Sequence, residues 1–128
     1  MLKIKNVLWL LPGCLLLTSC ATSTITNLTS STQTRNASGQ YPLEYAWDSS
    51  MATIRPETIT PYAVVIGGDM YPMRKTLRMT NRWETLVPIP PDKNSINYYF
   101  KVDYDYNRFG QPGKGSKASP EYKLSIGD

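Results

Sequence analysis

Residues 97–106 read NYYFKVDYDY. Tyr98, Phe100, Val102, Tyr104 and Tyr106 fall on one side of this stretch, and Tyr99, Lys101, Asp103 and Asp105 on the other. Successive side chains of an extended chain point to opposite faces, so strict alternation of apolar and polar residues marks a half-buried β-strand. A helix would mix the two sets around its circumference. The stretch therefore fixes a strand, with the Tyr98 face turned to a core.

The same period recurs on either side of this strand. Tyr122, Leu124 and Ile126 alternate with polar residues in a final strand. Between the two, residues 109–119 contain Gly110, Gly113, Gly115 and Pro112 and read as a loop. Upstream, Arg82–Ile89 is a strand that ends at Pro88-Ile89-Pro90-Pro91. Tyr62–Ile66, a β-branched apolar run, ends at the turn signal Gly67-Gly68, and Asp69–Met73 returns as another strand. Tyr41–Asp48 places Leu43, Tyr45 and Trp47 on one face, and Thr24–Leu28 is a first edge strand. Ten prolines and eight glycines are scattered through the chain and disfavour long helices. About seven short strands separated by turns predict an all-β sandwich or barrel.

The pattern from Tyr98, Tyr-x-Phe-x-Val followed by Asn107, Gly110, a loop and Ser119-Pro120, resembles the end of a fibronectin type III or related immunoglobulin-like domain. The resemblance covers about 80 residues at most and is closest over residues 98–120. It implies an immunoglobulin-like (fibronectin type III-like) β-sandwich. It also implies that Tyr98 forms a tyrosine corner, its hydroxyl bonded to nearby backbone, and that Trp47 is a core residue of the second strand. Such domains are mostly binding modules and spacers, so the fold carries no activity with it.

The start of the chain has a different character. Lys3 and Lys5 precede the apolar run Val7–Leu17, which ends at Thr18-Ser19-Cys20. Positive, apolar, then small residues is the order of a signal peptide, and eleven apolar positions are too few for a membrane-spanning helix. Leu17-Thr18-Ser19-Cys20 resembles the bacterial lipobox. There the Cys20 thiol would be the nucleophile that accepts a diacylglycerol, and the new amino terminus would be acylated as well, giving a stable membrane anchor. Ala21 after the cysteine points to the outer membrane. Residues 1–19 are thus expected to be a lipoprotein signal peptide, 20–40 a lipidated Ser/Thr-rich tether, and 41–128 the sandwich.

Composition narrows the function. The chain carries 14 basic and 10 acidic residues; without Lys3 and Lys5, twelve face ten, a net of +2. That near balance, with no basic run, gives no footprint for nucleic acid. There is no histidine, and Cys14 would leave with the signal. The usual zinc sites and Ser-His-Asp or Cys-His catalysis therefore cannot be assembled, and the mature domain has no disulfide. No cofactor is expected.

Three groups of residues invite a functional reading. Asp103, Asp105 and Asn107 offer oxygen ligands of the kind calcium takes, although a solvated strand face is the simpler account of them. Tyr62, Tyr71, Trp83 and Tyr99 are candidates for an exposed aromatic platform that stacks sugars or grips a partner, Tyr99 above all, although filling the core of a small sandwich is the simpler use for them. Met70, Met73 and Met79 are expected to fill gaps in the core. Together these point to a non-catalytic, lipid-anchored envelope module with structural or interaction roles. Its partners would be the membrane, through Cys20, and an envelope protein or a glycan. The alternative is a carbohydrate- or peptide-binding lipoprotein that uses exposed aromatics.

Overall fold

The structure is a computed structural model that describes residues 23–128. The segment holding the expected signal peptide and Cys20 lies outside the described residues. Ten strand segments form two packed sheets. They are β1 (Ser23–Asn27), β2 (Thr32–Thr34), β3 (Gln40–Ser49), β4 (Thr60–Val65), β5 (Met70–Pro72), β6 (Arg74–Lys75), β7 (Arg82–Pro88), β8 (Ser95–Tyr106), β9 (Gly113–Ala118) and β10 (Tyr122–Gly127). One 3-10 turn, Pro56–Thr58, interrupts them. One sheet has the order β1-β3-β7-β6. The other runs β2-β10-β8-β4-β5, with β9 also paired to β8. This is the immunoglobulin-like arrangement: a four-stranded sheet of first, second, fifth and fourth strands facing a second sheet built around the remaining three.

The additional segments relative to seven are the short β2 and β5 and the division of the last strand into β9 and β10. The expected loop over residues 109–119 is therefore corrected: most of it is a strand. Two glycines give it little β-propensity of its own, and its partner supplies what it lacks. Gly113 lies opposite Tyr106 and Gly115 opposite Tyr104. A Cβ at either glycine would come within 2.4 Å or 2.5 Å of the facing ring, so each ring rests directly on a glycine. The sandwich also begins before Tyr41. β1 pairs with β3 and β2 with β10, so Ser23–Asn27 and Thr32–Thr34 belong to the sheets rather than to a tether.

A one-residue bulge joins β9 to β10. Lys101 pairs with Ala118, whereas Tyr98 pairs with Tyr122, which leaves one extra residue on the outer strand. Ser119 bridges the interruption: its N–H donates to the Phe100 carbonyl at 2.9 Å, and its hydroxyl accepts from the Phe100 N–H at 2.8 Å. The extra residue changes the parity of the strand. Gly113, Gly115 and Lys117 face inward before it, and Tyr122, Leu124 and Ile126 after it.

The core is aromatic. Tyr41, Leu43, Tyr45 and Trp47 of β3 meet Tyr98, Phe100 and Val102 of β8 across the sheets, all at most 5% exposed. Tyr45 sits at the centre, stacked on Phe100 with ring centroids 4.6 Å apart and on Trp83 at 5.9 Å. Trp47 is a core residue as expected, 5.2 Å from Tyr104 and 6.4 Å from Trp83. The tyrosine corner is corrected. The Tyr98 hydroxyl accepts from Asn27 Nδ2 at 2.9 Å, a side chain 71 positions earlier on β1, instead of bonding nearby backbone. That bond ties the first strand of one sheet to the second sheet.

Candidate functional site

The four aromatics proposed as a platform divide between the two faces. Trp83 is 6% exposed and lies between Tyr45 and Trp47 in the core. Its alternation with Val87 and Ile89, also buried, was the signal that it points inward. Tyr71 pairs with Ala63 and packs, half-buried, against the core. Tyr62 and Tyr99 face outward from the larger sheet, both half-buried. They are not directly opposed, since Tyr62 pairs with Lys101 and Tyr99 with Val64. A continuous strip of four rings is therefore absent, because two of them are needed to fill the interior. Of the three methionines, only Met73 is buried; Met70 and Met79 are 51% and 37% exposed.

Asp103 and Asp105 do share a surface. They line an open groove of about 570 Å³ together with Thr58, Thr60, Lys114 and Ser116. Asp103 accepts from Ser116 Oγ at 2.8 Å and lies 3.6 Å from Lys101 Nζ, while Asp105 Oδ1 lies 3.3 Å from Lys114 Nζ. Both carboxylates are thus engaged across the β8–β9 pair. Thr58 Oγ1 donates to the Arg55 carbonyl at 2.7 Å and accepts from the Asp105 N–H at 2.8 Å, which pins the 3-10 turn to β8. Asn107 stands apart, past the strand end, its N–H given to the Thr53 carbonyl at 2.9 Å. Among the described residues no group of three or more His, Cys, Asp or Glu is placed to hold a metal ion.

On the outer face of the smaller sheet, Glu44 and Glu84 are directly opposed. Like charges in that position repel. Two cations relieve them: Arg82 lies 3.3 Å from Glu44 and Arg74 lies 3.1 Å from Glu84. The Thr76 hydroxyl and then Arg74 hold the Glu84 carboxyl below the usual carboxylate range.

The sheet edges differ in how they are guarded. Exposed edges usually carry lysine, proline, a bulge or an inward-pointing charge that discourages another strand from adding on. β6 is Arg74–Lys75, β5 ends in Pro72, β9 carries Lys114 outward and Lys117 inward, and β2 has only three residues. β1, STITN, has five residues with neither charge nor proline. Leu28 N–H donates to the Glu44 carbonyl, so by alternation the backbone groups of Ile25 and Asn27 face away from β3, along an edge that no other described strand covers. The uncharged sequence was visible from the start, but its position at an edge with no guard required the strand order.

No protein-family model matches the chain, and no curated protein matches it significantly.

Proposed function

We propose that the mature chain is a non-catalytic lipoprotein of the cell envelope, anchored through acylated Cys20, that holds a protein partner by strand addition along β1. The single observation that carries this reading is the five-residue β1 edge, left without charge, proline or bulge while the other edges are short or guarded. An added strand gains main-chain hydrogen bonds along such an edge. The signal-like N-terminus and Leu17-Thr18-Ser19-Cys20 support the anchor, and Ala21 after the cysteine supports an outer-membrane location.

The anchor is tested by intact mass and membrane fractionation of wild type against Cys20→Ala. An unlipidated, soluble wild type would sink it. The partner is tested by affinity capture from cross-linked envelopes with full-length protein, wild type against Thr26→Lys. Thr26 is exposed on β1, so a lysine there guards the edge and leaves the core intact. The expected result is a reproducible protein captured by wild type and lost from the variant. A partner retained by Thr26→Lys, or glycan fragments retained in place of protein, overturns strand addition.

A further inference from the structure

The register places several features at one end of the sandwich. Ser23, where β1 starts, is paired with Ser49 at the end of β3. Beside that pair lies the β6–β7 turn, since Trp47 N–H donates to the Asn81 carbonyl and Asn81 Nδ2 donates to Asp48 at 2.8 Å. The contact between Trp47 and Tyr104 aligns the second sheet, so the β8–β9 turn projects at the same end. Each of these turns carries one apolar side chain held almost wholly in solvent: Leu77 is 84% exposed and Phe109 104%. Each has an arginine as its immediate neighbour, Arg78 and Arg108. Neither arginine is in an ion pair among the described residues.

The opposite end differs. Its turns and the chain terminus carry Asp69, Asp92 and Asp128 against Arg35 and Lys93, and Arg35 is already bonded to Asp128 at 3.1 Å.

Cys20 precedes Ser23 by three positions. A fully extended chain covers at most about 3.6 Å per residue, so the Cys20 Cα lies within about 11 Å of the Ser23 Cα. If Cys20 carries acyl chains, the bilayer surface is held within that distance of the end bearing Leu77 and Phe109. Apolar side chains flanked by arginines are the composition that settles at a lipid interface, the rings and methyls among the acyl chains and the guanidinium groups at anionic headgroups.

Resting on the anchor reading, we infer that this end of the domain docks against the anionic bilayer surface. Leu77 and Phe109 enter the interface, with Arg78 and Arg108 on the phosphates. The lipid then fixes the orientation of the domain as well as its location, and turns the far end away from the membrane.

The test uses full-length, processed protein in vesicles of phosphatidylethanolamine and phosphatidylglycerol whose acyl chains are brominated. A single cysteine bearing a polarity-sensitive dye is introduced at Gln111, in the β8–β9 turn, or at Lys93, at the opposite end; both side chains are exposed. Docking predicts a blue shift and about twofold quenching at position 111 and neither at position 93. Leu77→Glu with Phe109→Glu should abolish the signal at 111, and the folded core is untouched because both side chains lie in solvent. Intact mass is read on the same samples. A lipidated protein with equal emission at 111 and 93 overturns docking alone. Quenching that survives the double substitution overturns the role of the two tips. An unlipidated Cys20 overturns the anchor reading, and the inference with it.

Discussion

Tyr45 is fully buried, yet among the described residues its hydroxyl has no hydrogen-bond partner, whereas Tyr41 accepts from the Asn36 N–H and Tyr98 from Asn27. Burying an unpartnered hydroxyl costs about 1–3 kcal/mol in protein hosts. Tyr45→Phe keeps the ring on Phe100 and Trp83 and removes only the oxygen. Allowing for the small void left, the variant should be more stable by about 1 kcal/mol at pH 7, or about 4–8 °C in Tm for a domain of this size. Burial also pushes the Tyr45 phenol well above its ordinary value. A group whose folded pKa is raised stabilises the fold fully below its unfolded pKa, near 10, and that contribution is lost as pH rises toward the folded value. At pH 11 the unfolded wild type gains on the order of 1 kcal/mol by ionising this one phenol, and the variant does not. The gap between the two should therefore widen from about 1 to about 2 kcal/mol between pH 7 and pH 11. Urea unfolding of both proteins at the two pH values measures it, and the other tyrosines cancel in the difference. A variant destabilised by 1 kcal/mol or more at pH 7, or a gap that does not grow with pH, refutes the reasoning.

Gly115→Ala would drive a methyl to within 2.5 Å of the Tyr104 ring, itself packed on Trp47, and should cost about 1–3 kcal/mol in chemical denaturation. Combining it with Tyr104→Ala should show strong non-additivity, since the smaller residue removes the clash. Asn27→Ala leaves the Tyr98 hydroxyl unpartnered and should cost about 1–3 kcal/mol, with faster amide exchange along β1 than elsewhere. Arg78 has φ 66°, the left-handed region that favours glycine, so Arg78→Gly should raise stability by about 1 kcal/mol while weakening attachment to anionic vesicles.

The legible parts of the fold were those in which a strand's own side chains alternate. β3 and β8 follow that pattern, with Leu43, Tyr45, Trp47, Tyr98, Phe100 and Val102 all buried as the period requires. β9 was illegible because its specification lies on another strand: Gly113 and Gly115 mean a loop until Tyr106 and Tyr104 are placed over them. β2, TQT, is too short to show a period. In the continuous apolar run of β4, composition cannot tell which residues face inward, so Tyr62 could be assigned to a surface but not given a neighbour. Trp83 stood as a platform candidate beside the simpler reading that it fills the core, and its burial, in step with Val87, bears out the latter. The candidate edge at β1 depends on strand order, a property of the whole sheet that no local stretch contains.

The parallel pairing of β2 with β10 also sets how the domain would respond to pulling. Ser125 N–H donates to the Ser31 carbonyl at 2.9 Å and Arg35 N–H to the Gly127 carbonyl at 2.8 Å, and the register between them is parallel. Force that enters ahead of β1 and leaves beyond β10 draws these two strands lengthwise past each other. Their bonds then share the load and must fail together, where an antiparallel hairpin pulled from its open end would unzip one bond at a time. The Arg35–Asp128 pair sits at the end of that seam. A domain tethered at one terminus and loaded at the other would thus be clamped by a three-residue strand, and its rupture force would fall sharply on replacing Gln33, the middle residue of that strand, with proline.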